Sequence, residues 1–154
     1  MDFSFDTSAF IEPHIRLYPR DLFEAHWQWV ERLIGDGTIR CSELVKIELS
    51  KTEDDLFKWS KDQENLFIPI DTETQTALKE VIRKFPIITD YHRDRSGADP
   101  WVIALAMAND CHVVTYENMG KKNEAKIPNI CRYFSIKCYT WIEVFRETGF
   151  SSKK

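Results

Sequence analysis

The amino-acid sequence predicts an α/β fold in which helices flank a mainly parallel central sheet. Short apolar, β-branched segments alternate along the chain with amphipathic helical patterns. Several predicted strands are almost wholly apolar, which is typical of strands buried on both faces of a parallel sheet. Neither an internal repeat nor a Ser/Gly/Pro-rich linker divides the 154 residues. We therefore predict one domain over residues 1–154.

A short buried strand begins the chain and a helix follows it. Phe3 and Phe5 precede the polar turn Asp6-Thr7-Ser8. The helix opens near Pro19, and Gly35 ends it. Its apolar residues recur at helical spacing: Leu22, Phe23, His26, Trp27, Val30, Leu33 and Ile34.

Local signals place the remaining elements of the first half. In chain order we predict a strand at 38–41, a helix at 43–50, a helix at 54–65, a strand at 66–70 and a helix at 72–85. Ser42 is a good N-cap for the helix at 43–50. Thr72 and Gln75 have the spacing of a capping box, which predicts the start of the last of these helices.

The second half continues the alternation. In chain order we predict a charged loop at 89–97, a helix at 101–109, a strand at 111–116, a basic loop at 120–126, a strand at 136–139 and a short terminal helix. Asp99 followed by Pro100 is the N-cap and first-turn pattern of the helix at 101–109.

Four acidic residues occupy positions that predict a cluster. Asp6 and Glu117 fall at strand carboxyl ends, Asp99 starts a helix, and Glu48 shares the apolar stripe of its helix with Val45. Ligands of parallel sheets lie beyond the carboxyl ends of the strands. Carboxylates gathered there would raise each other's pKa unless a cation joined them, and Mg²⁺ or Mn²⁺ prefers such oxygen ligands.

Each acid also has an ordinary structural interpretation. Asp99 could be a plain N-cap, and Asp6 could cap the turn after its strand. Glu48 could reach around its own helix to pair with a lysine. Glu117 could be a solvated surface residue. These alternatives remain open at the level of sequence.

The four acids lie in four short motifs. In chain order these are FDTSAFI at 5–11, a Ser six positions before Glu-Leu at 42–49, GADPWVIALA at 97–106 and VVTYEN at 113–118. The ordered set resembles that of PIN-domain ribonucleases. An aromatic first helix with Trp27 and Trp29 and the segment KIPNIC at 126–131 are similar to VapC-like toxins. The resemblance spans about residues 2–147 and leaves a short polar C-terminal tail.

The resemblance implies a three-layer PIN-like fold and a Mg²⁺- or Mn²⁺-dependent endoribonuclease, the toxin of a VapBC-like toxin–antitoxin pair. It implies that Asp6, Glu48, Asp99 and Glu117 are the metal-binding and catalytic acids and that Thr115 hydrogen-bonds within their cluster. It also implies an RNA substrate, a cognate antitoxin and a homodimer. Glu at the fourth acidic position departs from the commoner Asp, so its coordination could pass through water.

Two basic loops would flank this site. Arg93 and Arg95 precede the third motif, and Lys121 and Lys122 follow the fourth. These side chains are candidates for contacts to RNA phosphates, although they could equally be ordinary solvated loop residues. Asp94 could be a fifth site acid or the ion-pair partner of a neighbouring arginine.

Composition narrows the functional class. Twenty-five acidic residues against twenty-one Lys and Arg give a net charge of −4, which argues against a general polyanion binder. The four cysteines form no CxxC pair and the four histidines no HxxxH pair, so a structural zinc site is not expected. The longest apolar stretch, 101–108, has eight residues, whereas a membrane span needs about 20. With no secretory signal at the N-terminus, we expect a cytoplasmic protein without a membrane span.

Two alternative functions remain open. One is a metal-dependent nuclease that acts on DNA or structured nucleic acid in defence or repair. The other is a PIN-like module that binds RNA or protein without cleaving it, although the presence of all four acids argues against this second alternative.

Overall fold

The computed structural model describes residues 1–52, 54–89, 97–121 and 124–151, and these form an α/β fold around a five-stranded, all-parallel sheet. The strands are β1 Phe3–Phe5, β2 Ile39–Ser42, β3 Phe67–Ile68, β4 His112–Val114 and β5 Cys138–Tyr139. Their order across the sheet is β3-β2-β1-β4-β5. The predicted fold class is confirmed.

Eight α-helices flank the sheet in the described part of the chain. They are α1 Ser8–Glu12, α2 Glu24–Gly35, α3 Glu43–Leu49, α4 Asp55–Lys61, α5 Thr72–Lys84, α6 Asp99–Ala108, α7 Ile127–Tyr133 and α8 Trp141–Thr148. A π-helical turn at Pro13–Leu17 and a 3₁₀ turn at Pro86–Thr89 complete the helical elements. None of the helices described has the length and apolarity that a bilayer span requires.

The strand order reverses direction beside β1. The chain moves from β1 outward through β2 to β3, then returns to place β4 on the other side of β1 and β5 beyond it. In open parallel sheets such a reversal opens a crevice at the carboxyl ends of the two strands that flank it. The topology therefore marks the carboxyl ends of β1 and β4 as the natural ligand site.

Alternate side chains of β1 define two helical layers. The Phe5 ring lies 5.3 Å from Phe10 of α1 and 6.2 Å from Trp141 of α8. Ser4 points the opposite way, and its hydroxyl donates to the Val102 carbonyl of α6 at 2.9 Å. α6 is buried on this second face, with Val102 to Ala106 all inaccessible or nearly so. A helix that is apolar all round must be enclosed, and α5 and α7 pack against it.

The structure corrects several element boundaries. α2 begins at Glu24, because Leu22 and Phe23 belong to a separate turn in which their N–H groups donate to the Pro19 carbonyl. Leu22 and Phe23 are consequently exposed, at 74% and 42%, instead of lining the apolar stripe. α4 ends at Lys61, before Asn65 adopts a left-handed backbone conformation with φ 65°.

Two short helices were not predicted. α1 and α7 have five and seven residues, and one or two turns are too short to show a helical period in the sequence. α1 begins at Ser8, the last residue of the predicted polar turn, and lies over the Phe5 face of the sheet.

The capping box predicted for α5 is wrong. The N-cap is Asp71, which has an extended backbone and accepts a hydrogen bond from the Thr74 N–H at 2.7 Å. Thr72 already lies inside the helix. The sequence pattern placed the N-cap at Thr72, one residue too late, because Asp and Thr are both common N-caps.

Replacing Asp71 with Ala is expected to lower the free energy of unfolding by about 1 kcal/mol, because Ala cannot accept the Thr74 hydrogen bond. Thr72→Ala is the matched control and is expected to change it by no more than about 0.5 kcal/mol. Urea unfolding followed by circular dichroism measures both. Equal losses in the two variants would contradict the assignment of the cap.

Candidate active site

Asp6 occupies the carboxyl end of the central strand. Its N–H donates to the Val114 carbonyl at 2.9 Å, which continues the β1–β4 pairing by one residue. The side chain is 3% exposed. Oδ1 accepts from the Thr7 N–H at 2.7 Å, and Oδ2 accepts from the hydroxyls of Ser8 at 2.5 Å and Thr115 at 3.0 Å. The carboxylate is therefore fixed in place by both strands that border the crevice.

The environment of Asp6 opposes its ionisation. Burial raises the pKa of Asp6 to about 6, and the neighbouring carboxylates of Glu117 and Glu48 raise this pKa further. Hydrogen bonds from Ser8 and Thr115 lower the pKa but do not cancel these effects. Asp6 does cap the turn after β1, since its carboxylate accepts hydrogen bonds from the Thr7 N–H and the Ser8 hydroxyl. This role does not explain an acid buried among other acids.

Glu48 connects the end of β1 to the start of α6. Oε2 accepts a hydrogen bond from the Thr7 hydroxyl, and Oε1 accepts from the Ala98 N–H at 2.9 Å. α3 presents this side chain because Ser42 caps the helix, with its hydroxyl accepting from the Leu44 N–H at 3.3 Å. The predicted role of Ser42 as an N-cap is confirmed.

Asp99 is the first residue of α6 and is 8% exposed. The helix begins at this residue because the Ala98 carbonyl accepts from the N–H groups of Trp101 and Val102. Ala98 is thus the N-cap, and no side chain caps the helix. The interpretation of Asp99 as a plain N-cap is wrong, although its carboxylate still gains from the positive end of the helix dipole.

Thr115 and Glu117 follow β4. The Thr115 hydroxyl donates to Asp6 and accepts from the Glu117 N–H at 3.0 Å. Glu117 Oε2 accepts from the Ile127 N–H at 2.8 Å, and Oε1 lies 3.7 Å from the Lys126 ammonium. The Glu117 side chain is 27% exposed. It is anchored to the start of α7, so the interpretation as a freely solvated residue is wrong.

The hydrogen bonds join all four acidic segments. One route runs from Asp6 through Thr7 to Glu48 and on to Ala98, which precedes Asp99. A second route runs from Asp6 through Thr115 to Glu117. Within the described ranges, no three His, Cys, Asp or Glu side chains are placed so as to hold a metal ion together. The acids are gathered at one edge of the sheet but do not form a closed ligand set.

The chemistry of these donors fits a hard divalent cation. Each acid offers carboxylate oxygens, the ligands that Mg²⁺ and Mn²⁺ prefer. A cation beside Asp6 would reverse the unfavourable effects of burial and of like charge on its ionised form. The Lys126 ammonium beside Glu117 is consistent with a site that attracts positive charge.

Three side chains that support the site were not assigned from sequence. Thr7 and Ser8 position the acids, and the Ser8 hydroxyl also accepts from the Tyr116 N–H at 2.9 Å. Buried Asn129 holds the loop after Glu117, since its Oδ1 accepts from Gly120 N–H at 2.9 Å and its Nδ2 donates to the Lys121 carbonyl at 2.9 Å. The place of Thr7 and Ser8 directly after Asp6 was the available signal for those two.

Of the four side chains predicted to contact phosphate, only Lys121 lies within the described residues. Lys121 is exposed on the loop that follows Glu117, and its N–H donates to the Glu124 carboxylate at 3.2 Å. The other three lie outside the described residues: Arg93, Arg95 and Lys122. Asp94, for which two roles were left open, also lies outside them.

The chain belongs to the family described as a domain of unknown function (DUF4411), whose family profile matches residues 3–152. No curated protein matches the chain. The match extends over both halves of the sheet and includes all four acids.

The pH dependence of stability tests the environment of Asp6. Because its folded pKa lies near 6 and the unfolded value near 3.8, protonated Asp6 stabilises the fold fully below pH 3.8. This stabilisation, about 3 kcal/mol, is lost as the pH rises through 6 in the absence of metal. Asp6→Asn is expected to abolish this loss, which unfolding titrations in EDTA between pH 4 and 7.5 would measure.

Asp36→Asn is the control for this measurement. Asp36 is exposed in the turn before β2, and Asn can still accept the Thr38 N–H. It is expected to keep the wild-type pH profile. A constant stability difference between wild type and Asp6→Asn across this range would show that Asp6 ionises normally.

Proposed function

We propose that this protein is a Mg²⁺- or Mn²⁺-dependent endoribonuclease with a PIN-like fold, acting as the toxin of a VapBC-like toxin–antitoxin pair. The single observation that carries the proposal is buried Asp6, linked by hydrogen bonds to the segments that bear Glu48, Asp99 and Glu117. The order of these acids along the chain supports the same assignment.

The topology of the sheet supports an active site at the carboxyl ends of β1 and β4. Asp6 and Thr115 lie at the carboxyl ends of β1 and β4, where the strand order reverses and a crevice is expected. Residues from four different elements converge there, which is the usual way for an α/β fold to build an active site. A network made only to stabilise the fold would be expected to pair a buried acid with a base.

Asp6 would hold the cation, with Glu48, Asp99 and Glu117 as further ligands, either directly or through water. The bound ion would lower the pKa of a coordinated water and neutralise charge on the scissile phosphate. Ser8 and Thr115 fix the orientation of the Asp6 carboxylate.

Thr7 and the Ala98 N–H fix both oxygens of Glu48, so this acid has little freedom to move. Glu117 is more exposed, with 27% of its side chain accessible. Both Glu117 oxygens are also engaged, by the Ile127 N–H and the Lys126 ammonium, but solvent reaches this side chain, so we assign to Glu117 the proton of the attacking water.

RNA is the proposed substrate, although the chain has a net charge of −4. Lys121 and Lys126 lie on the loop between Glu117 and α7, so positive charge is available at the rim of an acidic site. Lys126 is engaged with Glu117, which leaves exposed Lys121 as the described side chain best suited to contact a neighbouring phosphate. We also propose an antitoxin as the protein partner, because the sequence resembles VapC-like toxins.

Cleavage assays test the function directly. The purified protein is expected to cut tRNA or ribosomal RNA with Mn²⁺, to stop in EDTA and to leave single-stranded DNA intact. Asp99→Asn is expected to abolish cleavage and to reduce the stabilisation by Mn²⁺, which at a hundredfold excess over Kd is about 2.7 kcal/mol for one site. Asp36→Asn should preserve both quantities.

Three outcomes would contradict this account in different ways. Full activity in EDTA would exclude the metal mechanism. Normal cleavage by Asp99→Asn, with the full Mn²⁺ shift, would remove Asp99 from the site. Cleavage of DNA in place of RNA would favour a nuclease of the defence or repair class.

The phosphate path is tested by salt dependence. Lys121→Gln is expected to weaken RNA binding and to reduce the slope of log K against log salt by about 0.7, the value for one lost contact to a single strand. Lys58→Gln is the control, because Lys58 lies on α4 and pairs with Asp55 at 3.1 Å. An unchanged slope for Lys121→Gln would mean that Lys121 contacts no phosphate. Filter binding in EDTA keeps the RNA intact during the measurement.

A further inference from the structure

Helix α7 leads away from the acidic edge of the sheet. It connects the parallel strands β4 and β5, so it runs from their carboxyl ends back toward the opposite end of the sheet. Its first N–H, that of Ile127, donates to Glu117 at 2.8 Å, and its last residue is Tyr133. At about 1.5 Å per residue, Tyr133 lies about 9 Å further along the helix than Ile127. The helix therefore fixes Tyr133 at a set distance from the candidate active site.

Tyr133 presents an aromatic ring at the surface. The residue is 55% exposed. Two edge-to-face contacts hold the ring, whose centroid lies 5.2 Å from that of Phe85 and 5.0 Å from that of Phe134. A ring that is already held loses little further conformational entropy when a ligand stacks on it. Tyr133 is therefore a preorganised surface for a flat ligand.

Two basic side chains flank this ring. The Lys84 ammonium at the end of α5 lies 5.8 Å from the ring centroid, close enough for a cation–π contact. Arg132 is exposed and directly precedes Tyr133 on α7. Neither Lys84 nor Arg132 forms an ion pair with an acid in the described part of the chain, and Glu80 on α5 is already paired with Arg83 at 2.7 Å. Lys84 and Arg132 therefore give this surface uncompensated positive charge.

Met119 connects this surface to the acidic site. It lies two residues after Glu117 and is 54% exposed. Its sulfur accepts a hydrogen bond from Arg132 Nη1 at 3.4 Å. Asn129 of α7 holds the residue that follows Met119, because its Oδ1 accepts from the Gly120 N–H at 2.9 Å. The loop after Glu117 and α7 therefore form one continuous surface that reaches Tyr133.

We infer that Tyr133 stacks against a base of single-stranded RNA while Lys84 and Arg132 contact the adjoining phosphates. An aromatic ring among cations is the combination with which many proteins bind single strands. The bases of a duplex stay paired and stacked on one another, so only an unpaired strand can offer a base to Tyr133.

The inference rests on the proposed function for its choice of RNA, and it narrows the substrate to RNA that is single-stranded beside the cleaved bond. A stacked strand rises about 3.4 Å per nucleotide. The 9 Å along α7 therefore corresponds to about three nucleotides. The stacked base lies within a few nucleotides of the cleaved bond.

Binding of a short unstructured RNA, measured by filter binding in EDTA, tests the stacking without cleavage. Tyr133→Ala is expected to raise the Kd about tenfold, because the base loses its stacking partner. Tyr133→Phe keeps the ring and should keep the wild-type Kd. Ile142→Ala is the control, since Ile142 is also an exposed apolar residue but lies on α8. Circular dichroism melting verifies that each variant is folded.

Two further measurements separate stacking from charge. Lys84→Gln and Arg132→Gln are each expected to reduce the slope of log K against log salt by about 0.7, whereas Tyr133→Ala should leave this slope unchanged. An abasic nucleotide, moved in turn through the RNA, should weaken binding by wild type most at one position. Tyr133→Ala should lose that positional difference, because the two changes remove the same contact.

Three results would overturn the inference. The first is a wild-type protein that binds no single-stranded RNA in EDTA. The second is a folded Tyr133→Ala variant with the wild-type Kd, even if Lys84→Gln and Arg132→Gln weaken binding. The third is an equal loss of affinity for duplex RNA in Tyr133→Ala.

Cleavage with Mn²⁺ distinguishes these failures from failure of the proposed function. Wild-type protein that cleaves RNA, together with a Tyr133→Ala variant of unchanged Kd, would remove the stacking position and leave the nuclease. Wild-type protein that binds RNA through Tyr133 but cleaves none would remove the nuclease and leave the stacking position.

Discussion

Ionising Asp6 inside this fold costs free energy, because its carboxylate is removed from water and lies near two other acids. The chain compensates with three close donors, the Thr7 N–H and the hydroxyls of Ser8 and Thr115, yet the pKa remains raised to about 6. Asp6 also caps the turn after β1, but that role alone does not account for its burial beside two other acids. A carboxylate that is held so firmly, in an environment that disfavours its charge, supports the proposal that a cation binds there.

The rest of the site is organised around that side chain. Thr7 extends the contact to Glu48, and Glu48 in turn holds the N–H of Ala98 at the start of α6. On the other side, Thr115 links Asp6 to Glu117, which is anchored by the first N–H of α7. Glu48 and Glu117 therefore each accept a hydrogen bond from a backbone N–H at the start of a helix, α6 for Glu48 and α7 for Glu117. The arrangement fixes the acids at the edge of the sheet and leaves 27% of the Glu117 side chain exposed.

The architecture could be predicted from the sequence wherever local signals were sufficient. Apolar strands that alternate with helical patterns predicted the buried parallel sheet, and strand ends located Asp6 and Glu117. Short elements such as α1 carried no measurable period, and the cap at Asp71 had a neighbouring threonine with the same signal. The roles of Thr7 and Asn129 depend on contacts that only the folded chain makes, since Thr7 and Glu48 are 41 positions apart in the sequence. The exposure of Leu22 could not be predicted because the periodic pattern placed Leu22 on the apolar stripe of α2.

The most direct test of the central claim is anomalous diffraction from crystals of the protein soaked with Mn²⁺. The account predicts that the strongest anomalous peak lies against the Asp6 carboxylate, with Glu48, Asp99 or Glu117 completing its coordination directly or through water. The peak should be absent from crystals of Asp6→Asn. An Mn²⁺ site at a different place in the molecule, or none at the carboxyl edge of the sheet under conditions that support RNA cleavage, would contradict the account.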